Sequence, residues 1–162
     1  MPSDYTSQNA RAWNEIAVAR HSRTKPASYY RSGDTTLNPL LVEAAGDLTG
    51  QSVLQCQCST GEETFSWSVL GAKATGVDIS SIQIDLARQK AREASLDVRF
   101  VVGDVCDLPD ELTKGTFDIV HTGGGSLMWV PDIDAWAYNI ARCVEAGASF
   151  SWTNILSQGV YS

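Results

Sequence analysis

The sequence predicts a doubly wound α/β sheet, mostly parallel, preceded by a helical arm. Three observations carry that expectation. After residue 50, strand-like and helix-like stretches alternate, and alternation with parallel crossovers buries a sheet under helices on both faces. The first strand-like run, residues 52–57, passes through a short turn into a helix, and the second, residues 73–78, ends in Asp78. A helix start beside a strand-end acid suits a nucleoside ligand, because backbone N–H groups face its polar end and the carboxylate accepts from both ribose hydroxyls. Finally, 162 residues, 43% of them hydrophobic, supply one substantial core and too little chain for two.

The elements follow in order. Residues 1–36 are a polar arm with one helical patch over 10–19, where Trp13, Ile16 and Ala17 fall at i, i+3 and i+4. Pro26 prevents a long continuation. A second helix is expected over 37–48, with Leu40, Leu41, Ala44, Ala45 and Leu48 on one face, Pro39 in its first turn and Gly50 as its stop. Strands are expected over 52–57, 73–78, 98–102, 117–122 and 148–153. The helix over 62–70 buries Phe65 and Val69 and stops at Gly71. That over 81–94 starts at Ser80 with Gln83 three residues on, the spacing of a capping box. The last, 132–144, sets Ile133, Trp136, Ile140 and Val144 at steps of three and four before Gly147. Residues 1–50 thus read as an arm or lid, and residues 51–162 as the ligand-binding part.

A formal charge of −7 argues against a nucleic-acid partner, which needs a basic face. Residues 1–50 hold five acids and five bases, so the excess lies entirely in residues 51–162. Arg20, Arg23, Lys25 and Arg31 are therefore expected to lay the arm on an acidic body. Cys56 and Cys58 fall two apart on one strand, with side chains on one face, but without a second pair or a nearby histidine they do not make a zinc motif. No metal is expected, and Cys56, Cys58, Cys106 and Cys143 read as reduced thiols. The absence of a membrane-length apolar run or an apolar leader predicts a cytoplasmic protein with no membrane partner.

Several pieces in order resemble a family: Tyr30-Arg31-Ser32-Gly33, Thr36-Leu37, the turn around Gln57-Cys58, Gly76-Val77-Asp78-Ile79-Ser80, Val102-Gly103-Asp104-Val105, Phe117-Asp118-Ile119-Val120, and Thr122-Gly123-Gly124 before Trp129-Val130-Pro131-Asp132. Together they resemble the class I S-adenosylmethionine-dependent methyltransferases, in a bacterial small-molecule branch with a degenerate glycine-rich turn and a Rossmann-like sheet. The commoner turn has an acid at position 55 and glycines at 57 and 59, where this chain has Gln55, Gln57 and Ser59 and keeps Gly61.

The resemblance implies S-adenosylmethionine as cofactor, S-adenosylhomocysteine as its product and a small molecule as acceptor. The turn Gln57, Cys58, Ser59, Thr60 and Gly61 would pass under the cofactor's amino-acid end, with Gly61 allowing close approach. Asp78 would take the ribose, Ile79 would pack on the adenine, and Asp104, after Gly103, would accept from its amino group beside the Val105 N–H. Thr122, Gly123 and Gly124 would line the crevice where strand order reverses, with Met128 and Trp129 as acceptor walls. Tyr30 and Arg31 would belong to a lid, with Arg31 pairing the cofactor carboxylate or an acid of the body. His121, at the end of the fourth strand, is the candidate general base, although displacement from a sulfonium can proceed by positioning and desolvation alone.

The family's sheet has seven strands, and this sequence stops soon after the fifth. The expectation is a fragment, or a short form that covers its sheet edge by pairing with a second chain or by swapping a segment. The competing reading is a nonmethylating cyclase or a binding or regulatory module on the same fold. A nicotinamide dehydrogenase needs a G-x-G-x-x-G turn, which residues 57–61 do not supply.

Overall fold

The computed structural model describes residues 4–152. Three helices open the chain: α1 (Asp4–His21), α2 (Ala27–Arg31) and α3 (Pro39–Ala45). Strands β1 (Ser52–Cys56), β2 (Lys73–Asp78), β3 (Arg99–Val102), β4 (Phe117–Thr122) and β5 (Val144–Trp152) follow, with α4 (Glu62–Val69) after β1 and α5 (Ser81–Ala94) after β2. A 3-10 turn, Ser126–Trp129, and α6 (Ile133–Cys143) connect β4 to β5. The strands form one parallel sheet in the order β3-β2-β1-β4-β5. Strand order reverses between β1 and β4, so their C-terminal ends open a crevice at the switch point.

Alternation along β1 sorts the core. Val53 packs with Leu41, Trp67 and Ile119 on the face covered by α3 and α4, whereas Leu54 and Cys56 pack with Val120, Trp136 and Ile140 under α6. A third cluster under α4 and α5 joins Tyr30, Phe65, Ile84 and Phe100. Both faces are apolar because both are covered, as a parallel sheet requires.

Boundaries moved where a left-handed residue or a surface face decided them. Helix α1 runs further than 10–19 at both ends but buries only Thr6 and Ala17, so its length has little hydrophobic signature. Helix α3 stops at Gly46, φ 70, before the expected Gly50. Strand β5 begins at Val144, directly after α6. Thr153 and the rest of residues 153–162 lie outside those described, and among the described residues β5 is a sheet edge.

The arm docks differently from expectation. Among the described residues none of Arg20, Arg23, Lys25 and Arg31 forms an ion pair. Instead Asn14 Oδ1 accepts from Ser80 Oγ (2.6 Å), Asn9 Nδ2 donates to Trp129 O (3.0 Å) and Thr6 Oγ1 donates to Asp104 Oδ2 (3.2 Å). The buried cation at this junction is Lys90 of the body, bonded to Thr24 Oγ1 (2.7 Å) and Glu62 Oε1 (3.0 Å), and Glu62 also accepts from the Lys25 N–H (3.2 Å). The arm is thus held by hydrogen bonds, some of them to charged groups of the body, and not by ion pairs from its own basic side chains.

Gly61 stands before α4 at φ 87, and a Cβ there would lie 2.7 Å from Phe100 Cζ and 3.1 Å from Phe65 Cε2. Its bareness serves core packing. Gly61→Ala combines left-handed strain with overpacking and is expected to cost about 2–4 kcal/mol, read as a lower urea midpoint at unchanged slope. An unchanged midpoint would mean that Phe100 yields to the methyl.

Candidate cofactor site

The site begins with a backbone that its residue types disfavour. Gln57 and Ser59 take φ 51 and φ 52, a left-handed geometry costing roughly 1–2 kcal/mol per non-glycine residue. The bend is fixed from β2: the Cys58 N–H donates to Val77 O (2.9 Å) and the Ser59 N–H to Asp78 Oδ2 (2.8 Å). Asp78 Oδ1 accepts from the Ser80 N–H (2.9 Å). Burial raises the Asp78 pKa, and the backbone N–H bonds oppose that rise.

Ser80 Oγ accepts from the Gln83 N–H (3.2 Å), which is half of the expected capping box. The other half is absent because the Ser80 N–H already serves Asp78. The Gln83 amide oxygen is left buried without a partner, although Gln83 lines the neighbouring cavity.

That cavity, of about 250 Å³, lies at the C-terminal ends of β1, β2 and β4. Gln57, Ser59, Asp78 and Ile79 line its floor, Gly124 and Ser126 its β4 side, and Trp13, Arg20 and Trp129 its outer side. The rings of Trp13 and Trp129 meet edge to face at 5.4 Å. A narrow space of about 40 Å³ continues past Gln57 and Ile79 to Gly103, Asp104 and Val105. Asp104 is partly engaged there, by Thr6 and by the Cys106 N–H (2.9 Å). A third space, about 280 Å³, runs from Ser59 past Thr60 to Arg20 and Arg23.

Seven expected residues are placed elsewhere. Tyr30 is 1% exposed and packs on Phe65, while burial and then the Glu62 charge push its phenol well above its ordinary pKa. Arg31 donates to Glu93 O (3.2 Å) on α5, so neither residue lines the cavity, to which α1 contributes Trp13 and Arg20 instead. His121 is fully buried, edge-on to Trp67 and 3.6 Å from Glu63 Oε2, and lines none of these spaces. Thr122 is buried and lines none of these spaces. Gly123 lines none of these spaces either, and a Cβ there would meet the movable tip of Glu63, Oε2. The Cys58 side chain joins the cluster under α5 while Cys56 joins that under α6, so the two thiols occupy opposite sheet faces rather than one. The left-handed Gln57 between them breaks the strand's alternation. Met128 is 73% exposed and lines none of these spaces, whereas Trp129 does.

Trp13, Arg20, Gln83 and Ser126 were not read as site residues from sequence. A signal existed for the first two: with Ala17 they stand at i, i+4 and i+7, one face of α1. Gln83 was legible only as a cap, because its release depends on where the Ser80 N–H points.

A parallel sheet with an acid-floored cavity at its switch point defines a nucleoside-binding α/β domain. The methyltransferase domain family matches residues 53–147, and the chain belongs to that family. Demethylmenaquinone methyltransferase of Lactococcus lactis is 37% identical over 106 residues, covering 63% of this chain and 41% of the relative. Magnesium-protoporphyrin O-methyltransferase of Rhodobacter capsulatus is 33% identical over 133 residues, covering 74% and 58%. The chain therefore spans about half the length of the curated relatives it matches. Geranyl diphosphate C-methyltransferase of Streptomyces coelicolor, solved with S-adenosyl-L-homocysteine, shares the fold at TM-score 0.67 and 20% identity, covering 94% of this chain and 65% of that one.

The cofactor implied by the resemblance fits these residues. An ionised carboxylate has about four lone-pair sites, so Asp78 retains capacity for ribose hydroxyls beyond Ser59 and Ser80, and Gln57 and Gln83 each hold an unpaired buried amide oxygen.

The four cysteines are free. Burial pushes the thiols of Cys56 and Cys58 far up and that of Cys143 up to about 11, and it also raises Cys106, which is only half-buried. Titration with a disulfide reagent should modify Cys106 slowly in the native protein and all four after denaturation. Fast reaction of Cys58 would show that the turn opens.

Proposed function

We propose that the chain transfers a methyl group from S-adenosylmethionine to a small-molecule acceptor. The observation that carries this reading is the Asp78 carboxylate, buried at the end of β2 yet lining the cavity, with backbone N–H groups taking only part of its capacity. Ile79, Gly103, Asp104 and Val105 would receive the adenine, and the backbone of residues 57–60 would pass under the rest. Arg20, without an ion pair among the described residues, is the nearby cation for the cofactor's carboxylate. When bound, the cofactor supplies an electrophilic methyl on a good leaving group. The chain's own residues orient it and exclude water: Trp13 and Trp129 cover the cavity, and no buried histidine base is required.

Residues 1–50 act as the lid in this reading, through α1, and residues 51–162 as the binding part. Named relatives that methylate quinones, a porphyrin and a prenyl diphosphate support a small acceptor. A cytoplasmic setting, no nucleic-acid partner, and self-association through the β5 edge or a swapped segment belong to the same proposal. Sedimentation across concentrations tests self-association, and a monomer throughout would remove it.

Calorimetry with S-adenosylhomocysteine tests the site. Asp78→Asn should weaken binding by about 1–3 kcal/mol, and equal affinity would take Asp78 out of the site. For the wild type, binding should weaken as pH falls, because protonation removes the carboxylate charge that the ribose hydroxyls meet. Since burial raises the pKa, the midpoint should lie above the ordinary aspartate value of about 3.9. Labelled-methyl transfer to phenols, quinols and prenyl compounds then tests catalysis, and binding without transfer to any acceptor would favour a binding module.

A further inference from the structure

Gln57 carries a side chain at a left-handed position, φ 51, and a specific bond holds that side chain. Its Nε2 donates to Ser126 O (2.9 Å) across the crevice from β1 to β4. A carbonyl oxygen only accepts, so this bond decides which end of the amide faces Ser126. The other end, Oε1, is buried and has no hydrogen-bond partner among the described residues. Gln57 borders both the 250 Å³ cavity and its 40 Å³ continuation. A desolvated, unpaired acceptor is unfavourable unless a ligand supplies a donor or positive charge.

The identity of that group follows from the order of the remaining walls. With ribose hydroxyls on Asp78 and the base toward Ile79 and Gly103, the C5′ substituent is left with Gln57, Gly124 and Ser126. In S-adenosylmethionine that substituent is a sulfonium, whose charge polarises the C–H bonds around sulfur. In S-adenosylhomocysteine it is a neutral thioether. We propose that Gln57 Oε1 meets the sulfonium end of the cofactor and so makes this pocket discriminate the charged donor from its neutral product. The inference rests on the methyltransferase reading. It gives the side chain at position 57 a consequence for turnover, because the attraction disappears when the methyl leaves and product release is eased.

Calorimetry with both ligands on wild type, Gln57→Leu and Gln57→Glu tests this, with thermal melts confirming folding. Gln57→Leu should lose roughly five- to tenfold in affinity for S-adenosylmethionine and less than twofold for S-adenosylhomocysteine. Gln57→Glu, which places full negative charge there, should raise the donor-to-product affinity ratio above wild type even though the Ser126 bond is lost. Equal losses for both ligands in Gln57→Leu would overturn the proposal and leave Gln57 as a prop for the Ser126 loop. Should Gln57→Leu not fold, a ratio in Gln57→Glu no higher than wild type overturns it alone. A wild type that binds neither ligand defeats the methyltransferase reading, and this inference with it.

Discussion

The carboxylate of Asp78 is the constraint on which the candidate site depends. It receives the Ser59 N–H from the turn after β1 and the Ser80 N–H from the start of α5, joining two strand ends that the sheet alone would only set side by side. Those bonds offset part of the strain at Gln57 and Ser59 and part of the burial cost that raises the carboxylate pKa. They also occupy the backbone donor that Gln83 would otherwise cap, which leaves the Gln83 amide at the cavity wall. One side chain thus shapes the turn, holds the residue that caps α5 and floors the cavity.

Around this centre, packing and polarity divide the work. At Gly61 the Phe100 ring occupies the space where a Cβ would stand, so packing and a left-handed backbone both call for glycine there. Polar side chains beside β1 and β4 bond one another. Trp67 Nε1 donates to Gln55 Oε1 (3.0 Å), Gln55 Nε2 donates to Glu63 Oε2 (3.0 Å), and His121 lies beside them under α4. A polar network of this kind fixes β1, β4 and α4 relative to one another.

Helix α1 supplies Trp13 and Arg20 to the cavity wall. Helix α1 buries little of itself and reaches the body through Thr6, Asn9 and Asn14, whereas Lys90 and Glu62 clasp the segment that follows it. The bonds from Asn9 and Asn14 join neutral groups and contribute about 0.5–1.5 kcal/mol each, whereas the Thr6 bond is made to the Asp104 carboxylate and contributes about 1.5–3 kcal/mol.

The sequence by itself determined the sheet and the ligand end of it. Hydrophobic periodicity and strand-end acids placed β2, β4 and α5 at their observed bounds and put Asp78 and Asp104 at neighbouring strand ends, because these signals are local and repeat along the chain, while the ordered motifs carried the resemblance to the family that residues 53–147 match. Tertiary structure decided which residues face the cavity. Whether Tyr30 covers a ligand or fills a core depends on how α2 meets α4 and α5. Whether His121 is a base or a packed ring depends on Trp67 and Glu63, far from it in sequence. The left-handed turn at Gln57 and Ser59 contradicts residue propensity and exists because Asp78, on another strand, holds it. Periodicity tells which face of an element is apolar, but only the approach of distant elements tells what that face meets.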